Sequence, residues 1–427
     1  MTEPLNRQSA GEIVQAIAAG DITSEAVTSA CLDRIEEREG AVKAWAFIDP
    51  DHALAQARAL DRAGNKGPLH GLPIGIKDVL DTADMPTEMG SPIYAGHRPA
   101  ADAASVAMLR AAGAVILGKT VTCEFAGMHP GATANPHDPK RTPGGSSSGS
   151  AAAVADFHVH GALGTQTGGS VLRPASFCGI VGYKPTYNII NRSGLMFAAE
   201  NLDTIGFMGR RVDDVDVIAA ALLNRAPAPP LGQASGLRIG LCRTQLWDTA
   251  QPETVEAIED SAERLASAGA RIIPVDMPST FEALASMRNR INDYERSRVL
   301  AYHWANNRDK ISAGLAKQIE NGTSMAYDEY DEAITLAAEG RAQLDAVFDE
   351  VDAMLAPAVA GEAPEGLDQT GDPRFQGYWT ILHVPTLTLP THKGPNGLPV
   401  GIQLVGPRWQ DARLLSVARW VEGKLMG

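Results

Sequence analysis

The chain has 427 residues with 37 Lys plus Arg against 51 Asp plus Glu, a formal charge of −14, so it is long enough to bury roughly three quarters of its unfolded surface and its charge disfavours a nucleic-acid partner. Cys31, Cys123, Cys178 and Cys242 lie far apart with no CxxC pair, which predicts reduced, buried thiols in a cytoplasmic protein. The N-terminal MTEPLNRQSAGEIVQAIAAGD has neither the basic patch nor the apolar run of a secretory leader, and the apolar runs at 111–118 and 217–223 fall far short of the roughly 20 residues that cross a bilayer.

In chain order, periodicity predicts amphipathic helices over 11–38 and 51–63 and short strands at 45–48, 73–79, 114–118, 161–167 and 179–183. The alternation continues with a strand at 237–242, a helix over 252–268, strands at 271–275, 352–357, 385–390 and 399–405, and a closing helix over 412–424. This pattern predicts an α/β protein, one layered α/β/α domain over residues 1–427 around a large mixed sheet. Residues 281–347 are more polar and mostly helical, and form a cap or an insertion beside that core. The Pro- and Gly-rich stretches at 225–236 and 360–374 read as loops rather than interdomain tethers.

Two motif matches carry no chemistry. GAVILGKT at 113–120 satisfies GxxxxGK[ST], but its four intervening residues are Ala, Val, Ile and Leu, a strand rather than a phosphate-wrapping loop. GSSSG at 145–149 satisfies GxSxG, yet DPKRTPG precedes it where a nucleophile elbow needs an apolar strand. No HExxH occurs, and His158 and His160 read as structural, so neither metal nor cofactor is expected.

Two polar glycine-rich segments interrupt apolar structure: TPGGSSSGS at 142–150 and GTQTGGS at 164–170. Glycine allows tight turns and close approach of backbone N–H groups to a ligand, the geometry of an oxyanion hole. Composition alone leaves 143–150 equally readable as a flexible linker, whereas 161–170 is flanked by strand-like runs on both sides. A serine there needs a base, and no histidine is suitably placed. Lys77, in LPIGIKDVL at 72–80, sits among Ile74, Ile76, Val79 and Leu80, where desolvation lowers a lysine pKa. The neighbours alone equally allow a snorkelling or salt-bridged structural lysine.

Together, PGGSSSGSAAAVA at 143–155, GTQTGGS followed by PASFCGIVGYKPT at 174–186, and LPIGIKD around Lys77 resemble the amidase signature family. GKTVTCEFA at 118–126, NLDTIGFMGR at 201–210, VPTLTLP at 384–390 and GLPVGIQLVG at 397–406 extend the likeness, densest over 65–210. The resemblance implies a Ser–Ser–Lys arrangement: Ser170 as nucleophile, Ser146 as the bridging serine after a cis peptide bond, and Lys77 as base. It also implies an oxyanion hole from the N–H groups near Thr167, Gly168, Gly169 and Ser170. Met128, His129, Trp379 and His383 are the expected pocket walls. Gln166 stands where the family usually has Asp, and Leu172, with Arg173 beside it, where it usually has Arg. If the usual Asp and Arg form an ion pair, their joint absence leaves two readings: Gln166 braces the loop through neutral hydrogen bonds, or it faces solvent and both changes are drift.

The activity so implied is hydrolysis of a small or medium carboxamide, releasing ammonia or an amine. Carbamate, urea or aryl-anilide hydrolysis uses the same chemistry. A further alternative is the A-type component of an amidotransferase that serves transfer-RNA-dependent amidation, against which the negative charge and the altered GTQTGGS both count. A non-catalytic scaffold would lack one of the three residues, and all are present. The expected partners are a small amide-like molecule and, at most, a second copy of the chain as a homodimer, with no nucleic acid and no membrane.

Overall fold

The structure is a computed structural model that describes residues 3–64, 67–232 and 236–427. Among the described residues, one sheet of eleven strands runs through the molecule: β1 (Trp45–Ile48), β2 (Pro73–Lys77), β3 (Val115–Thr120), β4 (Gly161–Gln166), β5 (Val181–Lys184), β6 (Thr204–Gly209), β7 (Arg238–Leu241), β8 (Arg271–Pro274), β9 (Ala353–Pro357), β10 (Thr386–Lys393) and β11 (Pro399–Val405). Their order is β1-β3-β2-β4-β6-β5-β10-β11-β9-β7-β8. β2 runs parallel to β3 and β4, β7 runs parallel to β8 and β9, and the strands between these two sets pair antiparallel. Helices cover the sheet, and every residue of the central strands β2, β3, β4, β5, β6 and β11 is buried. That explains why those strands, β6 apart, do not show the clean apolar–polar alternation of a half-exposed sheet.

The helix predicted over 11–38 is two helices. Ser9 and Glu12 form a capping box that starts Ala10–Ala19, and Gly20, with φ of 80°, ends it in the left-handed conformation. Thr23 then caps Ser24–Val42. β6 has no counterpart among the predicted strands, because Gly206 and Gly209 interrupt its pattern. Gly206 is required there: a Cβ would lie 2.8 Å from the Tyr183 carbonyl oxygen on the neighbouring strand. The GxxxxGK[ST] match ends in β3, and its Lys119 is buried in an ion pair with Asp78 at 3.0 Å.

Residues 281–347 fold as helices Phe281–Val299, Ala301–Asn306, Ala313–Ser324 and Tyr327–Val347, with no strand among them. Phe281, Leu284, Met287 and Ile291 on the first of these pack with Trp379 and Leu382 in one apolar cluster. Another side of that helix, bearing Arg288, Asn292 and Arg296, faces the turn that follows β4. All four cysteines are buried and unpaired. No helix among the described residues is long and apolar enough to cross a membrane.

Candidate active site

Lys77 is the last residue of β2, fully buried, and the parallel register of β2 with β4 sets it beside the end of that strand. Its Nζ donates to Ser146 Oγ at 2.8 Å and to Thr165 Oγ1 at 2.7 Å. Burial brings the Lys77 ammonium down to about 7. Two other buried lysines show what distinguishes it. Lys184 is also brought down to about 7 by burial, but donates only to the carbonyls of Pro185 and Val384. Lys119 spends its charge on Asp78. Lys77 alone of the three touches a serine hydroxyl.

Ser146 follows a cis Gly145–Ser146 peptide bond. Cys123 N donates to the Ser146 carbonyl at 3.1 Å, and Ser147 N donates to the Ser170 carbonyl at 3.3 Å, so the two serine-bearing loops are tied to each other. Gly144, with φ of 83°, passes so close to the helix Leu172–Cys178 that a Cβ would lie 2.7 Å from Pro174 Cα. Arg173 Nη2 donates to the Gly145 carbonyl at 2.6 Å and to Thr370 Oγ1 at 3.1 Å, fixing the same loop. Burial lowers the Arg173 guanidinium to about 10, so it is still charged at neutral pH.

Ser170 ends the turn after β4 and is 8% exposed, against 1% for Ser146. Gln166 braces that turn. Its Oε1 accepts from Val171 N at 2.9 Å and Leu172 N at 3.1 Å, while its Nε2 donates to Thr380 Oγ1 at 3.1 Å. Thr380 Oγ1 in turn donates to the Gly168 carbonyl at 2.7 Å. A neutral amide thus supplies both the acceptor for the helix N-terminus and the donor that fixes the glycines, without an ion pair. On the other side Thr167 Oγ1 donates to Asp203 at 2.5 Å, and Asp203 accepts from the N–H groups of Ala198 and Ala199. With the turn held at both ends, the N–H groups of Gly168, Gly169 and Ser170 donate to no acceptor among the described residues. Their side of the turn opens on a cavity of about 220 Å³, which Ser170, Thr167, Met128, Arg173, Arg288 and Arg296 help to line.

The structure therefore gathers Lys77, Ser146 and Ser170, the turn Thr167–Ser170, and Met128 into one place. His129 lines an adjacent cavity with Glu124 and Lys310 rather than the one at Ser170. Trp379 and His383 do not line the cavity at Ser170. Trp379 is completely buried in the apolar cluster under the Phe281–Val299 helix, and the His383 ring stacks on Tyr187 with centroids 4.0 Å apart while contacting the Asn201 carbonyl. Both lie on or just past the helix Arg374–Ile381, which turns Thr380 toward the Gln166 brace and follows Pro373, a residue of the cavity wall. Sequence reasoning did not single out Thr165, Asp203, Thr380, Arg288 or Arg296. Thr165 lay inside a segment already marked, and Arg288, Asn292 and Arg296 carried a legible signal: polar residues at i, i+4 and i+8 along one helix face.

The Amidase family model matches residues 26–415. A relative from Thermobifida fusca (strain YX), the A-type component of glutamyl-tRNA(Gln) amidotransferase, is 35% identical, covering 100% of this chain and 97% of its own. Among solved structures, a crystal structure of an amidase superposes with a TM-score of 0.90 at 29% identity, covering 98% of this chain and 100% of that one. Native peptide amidase from Stenotrophomonas maltophilia superposes with a TM-score of 0.85 at 29% identity over 99% of this chain and 98% of its own. With a family match across most of its length and full-length relatives of this similarity, the chain belongs to the amidase signature family and is an enzyme of the serine amidohydrolase type.

Proposed function

We propose that the protein hydrolyses a small carboxamide through an acyl-enzyme on Ser170, with Ser146 relaying the proton and Lys77 as the base. The observation that carries this reading is the Lys77 contact to Ser146 at 2.8 Å, made by a lysine whose burial leaves much of it neutral at pH 7. Neutral Lys77 accepts the Ser146 proton as Ser146 accepts that of Ser170, and Ser170 Oγ forms a bond to the amide carbon. The N–H groups of Gly168, Gly169 and Ser170 hold the carbonyl oxygen as it becomes an oxyanion. The relay runs backwards to protonate the leaving nitrogen as the C–N bond breaks. Water then attacks the ester, gives its proton to the same relay, and releases the carboxylic acid. Every group in this sequence of steps belongs to the chain, so activity is expected to survive dialysis against EDTA.

The test is ammonia or amine release across aliphatic amides, aryl amides, carbamates and ureas by wild type and Ser170→Ala. Turnover of at least one class, absent from Ser170→Ala, supports the reading. Equal turnover by the purified variant overturns it.

The full-length likeness to the A-type component of glutamyl-tRNA(Gln) amidotransferase supports a second reading, release of ammonia from glutamine for use by a partner protein. Glutamine carries an ammonium as well as a carboxylate. The cavity at Ser170 is lined by three guanidiniums and by no Asp or Glu that would meet that ammonium. Free-standing hydrolysis of a small amide is the reading that the site favours.

A further inference from the structure

The cavity at Ser170 is lined by three guanidiniums that no carboxylate among the described residues contacts directly. Arg173 and Arg296 are 1% and 2% exposed, and Arg288 is half-buried. None of the three forms an ion pair with a carboxylate among the described residues. The nearby acids are engaged elsewhere: Asp203 with Thr167 and two backbone N–H groups, Asp372 with Arg374, Asp293 with Asn292 and Asn321, and Glu124 with Ser312 N. Arg296 donates to the Phe125 carbonyl and to Asn292, leaving its Nε without an acceptor, and Arg173 leaves Nε and Nη1 without one. Buried arginines are ordinarily paired, because an uncompensated charge in a low-dielectric site is strongly unfavourable.

The chain also makes room for these side chains beside the reacting turn. A Cβ at Gly168 would lie 2.9 Å from Arg288 Nη1, and one at Gly377 would lie 3.2 Å from Arg288 Cδ and Nε. The Arg288 guanidinium is therefore seated between the oxyanion turn and the helix Arg374–Ile381, over glycines that cannot obstruct it.

Resting on the hydrolytic reading of Ser170, we propose that the natural substrate is a small amide that carries a carboxylate close to the scissile carbonyl and no ammonium, with Arg288 and Arg296 as the residues that hold that carboxylate. A cavity of about 220 Å³ accommodates an acid with a few carbons between its two carbonyl groups. A carboxylate there gives the guanidiniums the charge-assisted, bidentate partner they otherwise lack. A neutral amide of the same shape leaves them with only neutral partners, Asn289 for Arg288 and the Phe125 carbonyl and Asn292 for Arg296.

The experiment uses monoamides of three- to five-carbon dicarboxylic acids, such as succinamate, each beside its isosteric diamide, such as succinamide. Binding is measured by calorimetry on full-length Ser170→Ala, and kcat/KM on wild type. At least one amide acid is expected to bind Ser170→Ala about 10- to 100-fold more tightly than its diamide, the range of one or two charge-assisted hydrogen bonds, and glutamine no more tightly than the diamides. Arg288→Gln and Arg296→Gln are expected to shrink that preference toward unity, mainly through KM. If either variant does not fold, the comparison of acid with diamide on the arginine-intact protein still decides the matter. Preferential binding without any turnover by wild type upholds the carboxylate site and overturns hydrolysis. No preference for any acid over its diamide, or preference for glutamine, overturns the carboxylate site whether or not amides are hydrolysed.

Discussion

The turn after β4 and the helix Phe281–Val299 meet at one cavity, and the buried end of β2 reaches the loop beside that turn through Lys77 and Ser146, yet the two regions are built from different kinds of sequence. The first region packs its chemistry into short contiguous segments: Lys77 closes a five-residue strand, and Ser146 and Ser170 lie in two glycine-rich turns. The second region contributes through a periodic stripe, Arg288, Asn292 and Arg296, whose meaning depends on where the helix docks. The difference separates chemistry from selectivity. On the proposed reading, the strand ends carry the proton relay and the helix selects which amide reaches it.

Changes in the first region should have the largest effects. Ser170→Ala removes the nucleophile, and kcat is expected to fall by at least ~10⁴-fold, measured as product release, with near-wild-type urea unfolding because the 8%-exposed hydroxyl leaves no large cavity. Ser146→Ala and Lys77→Ala should each lose about 10³-fold or more, because either cuts the relay. Loss of chemistry with retained affinity for the amide is the pattern that this region predicts.

The pH dependence follows from Lys77. Burial lowers its pKa to about 7, so the active neutral amine is scarce at pH 6 and predominant at pH 8. Wild-type kcat/KM should rise about tenfold over that interval and then level off. A profile that falls across neutral pH would assign the titration to a different group. Lys184, with the same lowered value but only backbone partners, provides the control: Lys184→Met should leave the midpoint unmoved, whatever it does to stability.

Smaller effects are expected where the regions are braced. Gln166→Ala leaves the buried N–H groups of Val171 and Leu172 without their acceptor and releases Thr380, which should destabilise the fold by about 2–4 kcal/mol. Equilibrium urea unfolding measures this. A change below about 0.5 kcal/mol would show that water replaces the side chain without cost. Met128→Ala, at the cavity wall, should alter KM by a few-fold, whereas His383→Ala, stacked on Tyr187 outside the cavity, should alter stability and leave the ranking of substrates unchanged.

What the sequence made legible follows the same division. The α/β class and most strands could be read because buried strands are apolar runs and glycine-rich turns stand out between them, whereas the grouping of Lys77, Ser146 and Ser170 came from the family resemblance of the segments that hold them. The break at Gly20 was also written in the sequence, as a glycine followed by a threonine cap, but continuous helical periodicity on both sides masked it. β6 was hidden because Gly206 admits the neighbouring strand and Gly209 the following helix Val212–Leu222, both at the expense of pattern. Trp379 and His383 lie away from the cavity at Ser170, on and just past a helix whose facing could not be known before it docked. Gln166 and Leu172 were visible as departures from the expected motif, while the bracing by Gln166 required knowing that Thr380, more than 200 positions away, completes it.

The most direct test of the relay is labelling by a fluorophosphonate at several pH values, with the modified peptide identified by mass spectrometry. A relay from Lys77 through Ser146 predicts a single adduct on Ser170, formed at a rate that rises through about pH 7 in the wild type and is slow in Lys77→Ala and Ser146→Ala. An adduct on a different residue, or labelling of Ser170 in Lys77→Ala at the wild-type rate, would contradict it.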